Sequence, residues 1–183
     1  MIQHKGTQNL TTKRLLLRRF SADDARAMFY GWANDSDVTR FLSWEAHENI
    51  AVTENILKSW IAAYDNLACY NWAIVFDANL VGSISLFLHD RPDEAEAGYC
   101  LSKRYWGMGI MAEALSAVLQ YAFADVGFRR VTAKHHINNP NSGKVMRKCH
   151  MNYVETKYAP LALNPEKKVL CDCYEIINPR LKN

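Results

Sequence analysis

Proline and glycine are scarce in this chain, five and eight among 183 residues, and neither gathers into a linker. No internal repeat or low-complexity tract is visible, so residues 1–183 read as one domain. The five cysteines, Cys69, Cys100, Cys149, Cys171 and Cys173, are odd in number and include no CxxC pair. That spacing argues against a disulfide framework and against a structural zinc site, and no metal is expected. Cys171 and Cys173 lie two apart in an apolar run, where they would share one face of a strand in a reducing cytosol. The opening MIQHKGTQNLTTKR has no apolar signal core, and no apolar run is long enough for a bilayer, so a cytoplasmic protein without a membrane partner is expected. A strong charge imbalance is missing too. The net charge of +3 is too small and too evenly spread to point to nucleic acid, yet it tolerates a polyanionic cofactor held by a local positive field.

Hydrophobic residues make up 49% and charged residues 22%, ordinary values for a folded globular chain. Arg14–Phe20 reads as a strand. Ser21, Asp23 and Asp24 then supply helix-start chemistry for a helix through Ala25, Met28, Phe29 and Trp32. Periodicity predicts a second helix over Ile50–Tyr64. Three strands follow, Tyr70–Phe76, Leu80–Leu88 and Glu94–Leu101, separated by turns short enough for antiparallel hairpins. Met111, Leu115, Val118, Leu119, Ala122 and Val126 recur at helical spacing and predict a long helix from Ile110 to Val126, ended by Gly127. A strand over Arg130–Ile137, a helix over Asn141–His150, and strands near Met151–Tyr158 and Lys168–Ile177 complete the order. Together they predict an α/β (α+β) fold, a mixed sheet with helices on both faces.

The stretch Glu96–Glu113 carries the strongest chemical signal. A strand ends near Leu101, a turn holds Arg104-x-x-Gly107-x-Gly109, and a helix starts at once. Helix N-termini present unpaired N–H groups and the positive end of the macrodipole, and glycine lets those donors approach a pyrophosphate. Arg104 could add a charge-assisted contact. The GK[ST] ending of a Walker loop is absent, as is the third glycine of a dinucleotide fingerprint. About thirty residues on, Asn139-Pro-Asn-Ser142 again opens a helix at a strand end. His135 and His136 are neighbours on a strand and would point to opposite faces, which disfavours a metal site.

These motifs, Glu96-Ala-Gly-Tyr-Cys-Leu101, Tyr105-Trp-Gly-Met-Gly109, Ala112-Glu-Ala114 and Asn139-Pro-Asn-Ser142 with Lys148, resemble the GNAT superfamily of N-acetyltransferases. The resemblance is closest to the RimJ/RimL-like branch of ribosomal-protein alanine N-acetyltransferases. It covers nearly the whole chain in order and includes the first strand, Thr12–Arg18. One departure is His150, which stands where the branch has a helix-ending glycine and makes the local helix exit a point to check.

The resemblance implies a GNAT fold, mostly antiparallel with a splayed fourth strand, and acetyl-CoA as cosubstrate. It implies that Tyr99, Cys100 and Leu101 line the pantetheine. The loop Arg104, Tyr105, Trp106, Gly107, Met108, Gly109 and Ile110 would meet the pyrophosphate. Asn139 would hold the pantetheine amide, and Ser142 would stand near the sulfur as a proton donor or, in a purely structural role, cap its helix. An amine would attack the thioester directly, so no cysteine need be a nucleophile. At pH 7.5 roughly a third of an α-amine is neutral, against about a thousandth of a lysine, so an α-amine needs only modest base help. Glu96, an acid in an otherwise largely apolar strand before the cofactor turn, is the candidate base, with an ordinary edge carboxylate as the alternative. Glu113 is read chiefly as a partner of the helix dipole or a loop buttress. Lys144, Arg147 and Lys148 read as a solvated basic face, one of which could meet the 3′-phosphate. Trp44, Glu45, Trp72 and Tyr158, with Phe41 and His47, are candidate acceptor-site residues. The expected acceptor is a protein N-terminus. A small-molecule amine, or a CoA-binding module without catalysis, remains as an alternative, a homodimer stays open, and no direct nucleic-acid partner is expected.

Overall fold

In the computed structural model, which describes residues 2–161 and 164–181, eight strands form one sheet. They are β1 (Leu10–Thr11), β2 (Leu15–Arg18), β3 (Tyr70–Phe76), β4 (Asn79–Leu88), β5 (Glu94–Leu101), β6 (Arg130–His136), β7 (Asn152–Leu161) and β8 (Asn164–Ile177). Their spatial order is β1-β2-β3-β4-β5-β6-β8-β7, and β5–β6 is the one parallel pair among them. The expected fourth strand is the fifth here, because the two-residue β1 precedes the first strand read from the sequence.

That strand is splayed. β5 and β6 are paired only from Glu94↔Arg130 to Ala97↔Ala133. Beyond Ala97 the two diverge, with β5 still on β4 through Leu101 and β6 still on β8 through His136. The opening lies at the C-terminal ends of both strands, where the motif residues cluster.

Two apolar cores sit on opposite faces of the sheet. Alternation sends Trp72 and Ile74 of β3 to one face and Ala73 to the other. The larger core takes its helical share from α4 (Ile110–Tyr121) and α5 (Pro140–Lys148), through Ile110, Leu115, Val118 and Met146. The other is closed by α1 (Ala25–Met28) and α3 (Ile50–Ala63), through Met28, Leu57 and neighbouring Trp32. A short helix α2 (Ser36–Thr39) lies between them in sequence, capped by the Asp35 carboxylate accepting from the Asp37 amide. The long helix expected to reach Val126 ends its α-helical part at Tyr121 and finishes as a π-helical turn, Ala122–Val126, with Gly127 at φ 90°.

His150 resolves the helix exit after α5. It takes φ 60°, in the left-handed region, and its amide donates to the Arg147 carbonyl at 3.0 Å while Met151 donates to Met146 at 3.1 Å. The glycine-type exit is therefore kept, with a histidine bearing the backbone strain.

Candidate active site

A cleft of about 900 Å³ opens at the splay. One wall is the end of β5, Tyr99, Cys100 and Leu101, running on into Tyr105, Trp106, Gly107, Gly109 and Ile110. The N-cap Asn139 and one face of α5 supply Ser142, Lys144, Val145, Arg147 and Lys148 along the length of the helix, and residues 37–42 close a third side.

The loop between β5 and α4 fits a phosphate-bearing ligand. Gly107 and Gly109 have φ 79° and 75°, conformations that L side chains rarely adopt, and a Cβ on Gly107 would meet nothing within 4 Å on the protein. The amides from Gly107 to Ala112 find no acceptor among the described residues; the first helical bond of α4 is Glu113 to the Gly109 carbonyl at 3.1 Å. A row of free donors at a helix start is what a pyrophosphate needs.

The loop is held from behind by the turn between β1 and β2. The Glu113 carboxylate accepts from the Thr12 hydroxyl at 2.6 Å, the Arg14 amide at 3.0 Å and the Arg14 side chain at 2.7 Å. Arg14 also donates to the Met108 carbonyl at 3.1 Å. Burial alone would raise the Glu113 pKa, but these donors outweigh it and hold the carboxyl below its ordinary value. Glu113 is thus a buttress of the loop, one of the two roles expected for it.

Ser142 and Tyr99 face each other across the cleft floor. The Ser142 hydroxyl lies 3.0 Å from the Tyr99 hydroxyl, which also lies 3.1 Å from the Ser142 carbonyl. Asn139, not Ser142, occupies the N-cap position of α5, with Pro140 beginning the helix. Ser142 therefore sits inside the first turn, and the plain N-cap role does not apply.

Glu96 belongs to the opposite face. It shares a face of β5 with Cys100, four residues on, and Cys100 packs against the core closed by α1 and α3. Its carboxylate takes two hydrogen bonds from Lys134 of β6, at 2.8 and 3.0 Å. Both side chains line a second, open trough of about 380 Å³, bordered by the β4–β5 turn and by Lys157, Ala159 and Pro160 of β7.

Several expected contacts are not made. Trp72 is fully buried in the larger core with its indole donating to the Gln8 carbonyl at 2.7 Å, so it meets no acceptor. Tyr158 is 70% exposed, and strand alternation turns it away from Lys157 and Ala159, hence away from the trough. Trp44 packs on the smaller core and on His47, and Glu45 is exposed; neither lines the cleft or the trough. His47 instead bonds the Thr53 hydroxyl at 2.7 Å. Arg104 and Met108 also lie outside the cleft lining. In the tight turn Lys103–Tyr105 it is Lys103 that faces inward, ion-paired with Asp37 across the opening.

Other lining residues carried no signal in the sequence. Asp37, Arg40, Phe41 and Leu42 form the third wall; of these only Phe41 was a candidate. Its ring lies 5.4 Å from His136, at the end of β6, with the Arg40 guanidinium 4.4 Å above it. Lys144, Arg147 and Lys148 are exposed, as a solvated basic face would be, and the same face lines the cleft as a basic wall. Among the described residues no group of three or more His, Cys, Asp or Glu is gathered in a way that could hold a metal.

The splay and the row of free amides beside it are the features of a GNAT-type site. Residues 14–152 match the acetyltransferase (GNAT) domain family, and the chain belongs to that family as an acetyl-CoA-dependent N-acetyltransferase. It is 30% identical over 142 residues to the uncharacterized N-acetyltransferase YoaA of Bacillus subtilis, a match covering 76% of this chain and 80% of that one. Among solved structures it is similar to RimL, a ribosomal L7/L12 α-N-protein acetyltransferase in complex with coenzyme A. The TM-score is 0.80 at 18% identity, over 93% of this chain and 98% of that one. It is also similar to the microcin C7 self-immunity acetyltransferase MccE, in complex with acetyl-CoA and AMP. There the TM-score is 0.79 at 17% identity, over 91% and 93% of the two chains.

Proposed function

We propose that the chain, acting as one cytoplasmic domain, transfers the acetyl group of acetyl-CoA by direct attack to the N-terminal α-amine of a protein. The pyrophosphate is met by the amides of Gly107–Ala112 and the basic wall of α5, and the pantetheine runs along Tyr99–Leu101. Ser142 stands at the sulfur. The amine arrives through the splay from the other face, where Glu96 is the candidate base, held in place by Lys134.

The observation that carries the acceptor reading is the open trough beyond Glu96. It is bounded by a turn and by a strand of the β7–β8 hairpin, and its Glu94, Glu96, Arg130, Lys134 and Lys157 all stand in ion pairs. Such a surface suits an extended peptide tail following its α-amine better than an enclosed pocket for a small cation would. The likeness to RimL agrees with this reading, and the likeness to MccE, whose structure contains AMP, keeps a small amine as the competing one.

The test is mass spectrometry after incubation with acetyl-CoA and three acceptor sets. These are peptides beginning with alanine or serine, the same peptides with a blocked α-amine and an internal lysine, and free polyamines. Acetylation confined to the free α-amine and sensitive to the first few residues is the expected result. Preference for polyamines or lysine side chains would overturn the acceptor while leaving the acetyltransferase class in place.

A further inference from the structure

We infer that Tyr99 is a positioning residue for the leaving sulfur, its half-buried hydroxyl switching Ser142 from a donor turned inward to a donor turned into the cleft. The inference rests on the reading that places Ser142 beside the thioester.

The Tyr99 hydroxyl donates to the Ser142 carbonyl at 3.1 Å and accepts from the Ser142 Oγ at 3.0 Å, so Oγ becomes a second acceptor within its reach once both hydrogens turn. A phenol carries one hydrogen and can serve only one of them well. When it donates to the carbonyl, the Ser142 hydrogen points back at Tyr99, and the cleft sees only serine lone pairs. When it donates to Oγ, the Ser142 hydrogen is released toward the cleft. The two arrangements differ by turning two hydrogens, with no movement of a heavy atom. Negative charge growing on a sulfur in the cleft favours the second, because a chain of donors polarises each successive bond in it.

The surroundings fix this pair in place. Tyr99 lies just past Ala97, the last residue of β5 paired with β6, so the splay brings its side chain to the cleft floor. Its ring packs against the larger core, and α5 holds Ser142 through the Ser142 amide bond to the Asn139 carbonyl at 3.2 Å. Burial pushes the phenol far up, which keeps Tyr99 a neutral donor across the working range. In the transfer the N–C bond forms, and the C–S bond breaks with its electron pair on sulfur. The proton lost by the amine nitrogen, through Glu96 or water, balances the one finally gained by sulfur. Tyr99 and Ser142 each keep their own.

The experiment needs no acceptor. Coenzyme A bound to the full chain is titrated by the ultraviolet absorbance of its thiolate, for wild type, Tyr99→Phe, Ser142→Ala, Ser142→Thr and the double variant Tyr99→Phe/Ser142→Ala. In wild type the bound thiol should titrate about one pH unit below free coenzyme A, a tenfold preference for thiolate. Tyr99→Phe and Ser142→Ala should each remove most of that shift, the double variant should lose no more than either, and Ser142→Thr should retain it. A Tyr99→Phe protein that titrates as wild type, while Ser142→Ala does not, would overturn the role of Tyr99 and spare that of Ser142. Additive losses would overturn it as well, since Tyr99 would then act without Ser142. No shift in wild type would overturn the placement of Ser142, and failure of wild type to bind coenzyme A would overturn the acetyltransferase reading itself. Thermal melts of each variant separate these results from misfolding.

Discussion

The side chains that hold the loop before α4 and the Glu96–Lys134 pair lie on opposite faces of one sheet, so on the proposed function single substitutions should separate binding from turnover. Glu113 gathers three donors from Thr12 and Arg14, and Arg14 in turn fixes the Met108 carbonyl. Glu113→Gln removes the charge that makes these bonds strong, and should weaken coenzyme A binding roughly tenfold in calorimetry. Glu96 touches none of these groups. Glu96→Gln should leave coenzyme A affinity within about twofold and lower turnover with whatever acceptor is found, by roughly a hundredfold if it is the base. Equal losses of affinity in the two variants would show that the faces are coupled. Sequence reasoning singled out Glu113 as an acid in the first turn of the helix and Glu96 as an acid in a mostly apolar strand. It missed Lys134 because a lysine on a half-buried strand gives no sign of its partner until β5 and β6 are paired.

At the level of the elements, backbone conformation fixes the site more tightly than side-chain chemistry does. Gly109 precedes α4 at φ 75°, with Arg14 already 3.7 Å from where a Cβ would stand, and Gly107 leaves its approach open. Gly107→Val and Gly109→Val should each cost about 1–3 kcal/mol through the strained φ, and abolish the rise in melting temperature that coenzyme A gives wild type. His150 is the reverse case. A left-handed histidine costs about 1 kcal/mol relative to glycine, so His150→Gly should raise the melting temperature by roughly 2–4 °C without changing coenzyme A affinity. The strands and helices were legible because their apolar periods are long and their turns short. β3 shows where this fails. Five successive residues from Tyr70 to Ile74 are buried, because helices cover both faces, so no alternation told Trp72 in the core from a Trp72 in the cleft. Residues 37–42 have no period at all, and their place in the wall follows from tertiary ties such as Asp37–Lys103 and Phe41–His136. Arg104 was misplaced because a tight three-residue turn sends neighbours in different directions, and its inward place belongs to Lys103.

For the molecule as a whole, three half-buried or buried carboxylates tie distant parts of the chain together. Asp24 pairs with Arg18 at 2.8 Å where α1 meets β2, Glu94 with Arg130 at 3.0 Å where β5 meets β6, and Glu113 with Arg14 where α4 meets β2. In each, burial alone would raise the pKa, and the arginine and hydroxyl or amide donors outweigh it and lower it. A carboxyl with a lower pKa folded than unfolded binds fewer protons in the native state across the interval between the two values. Its contribution is therefore complete above the ordinary carboxylate range, about 4, and is lost as pH falls through the depressed folded values. Stability should then be level near neutrality and drop steeply below about pH 4, as followed by circular dichroism during acid titration. Because one of the three buttresses the cofactor loop, the site should be felt in the same titration. The melting-temperature increment from coenzyme A should shrink over the acid interval in wild type, and Glu113→Gln should start with a smaller increment that changes less with pH. An increment that falls in parallel in both proteins would assign the acid response to the ligand's own phosphates and basic wall, and would remove Glu113 from the explanation.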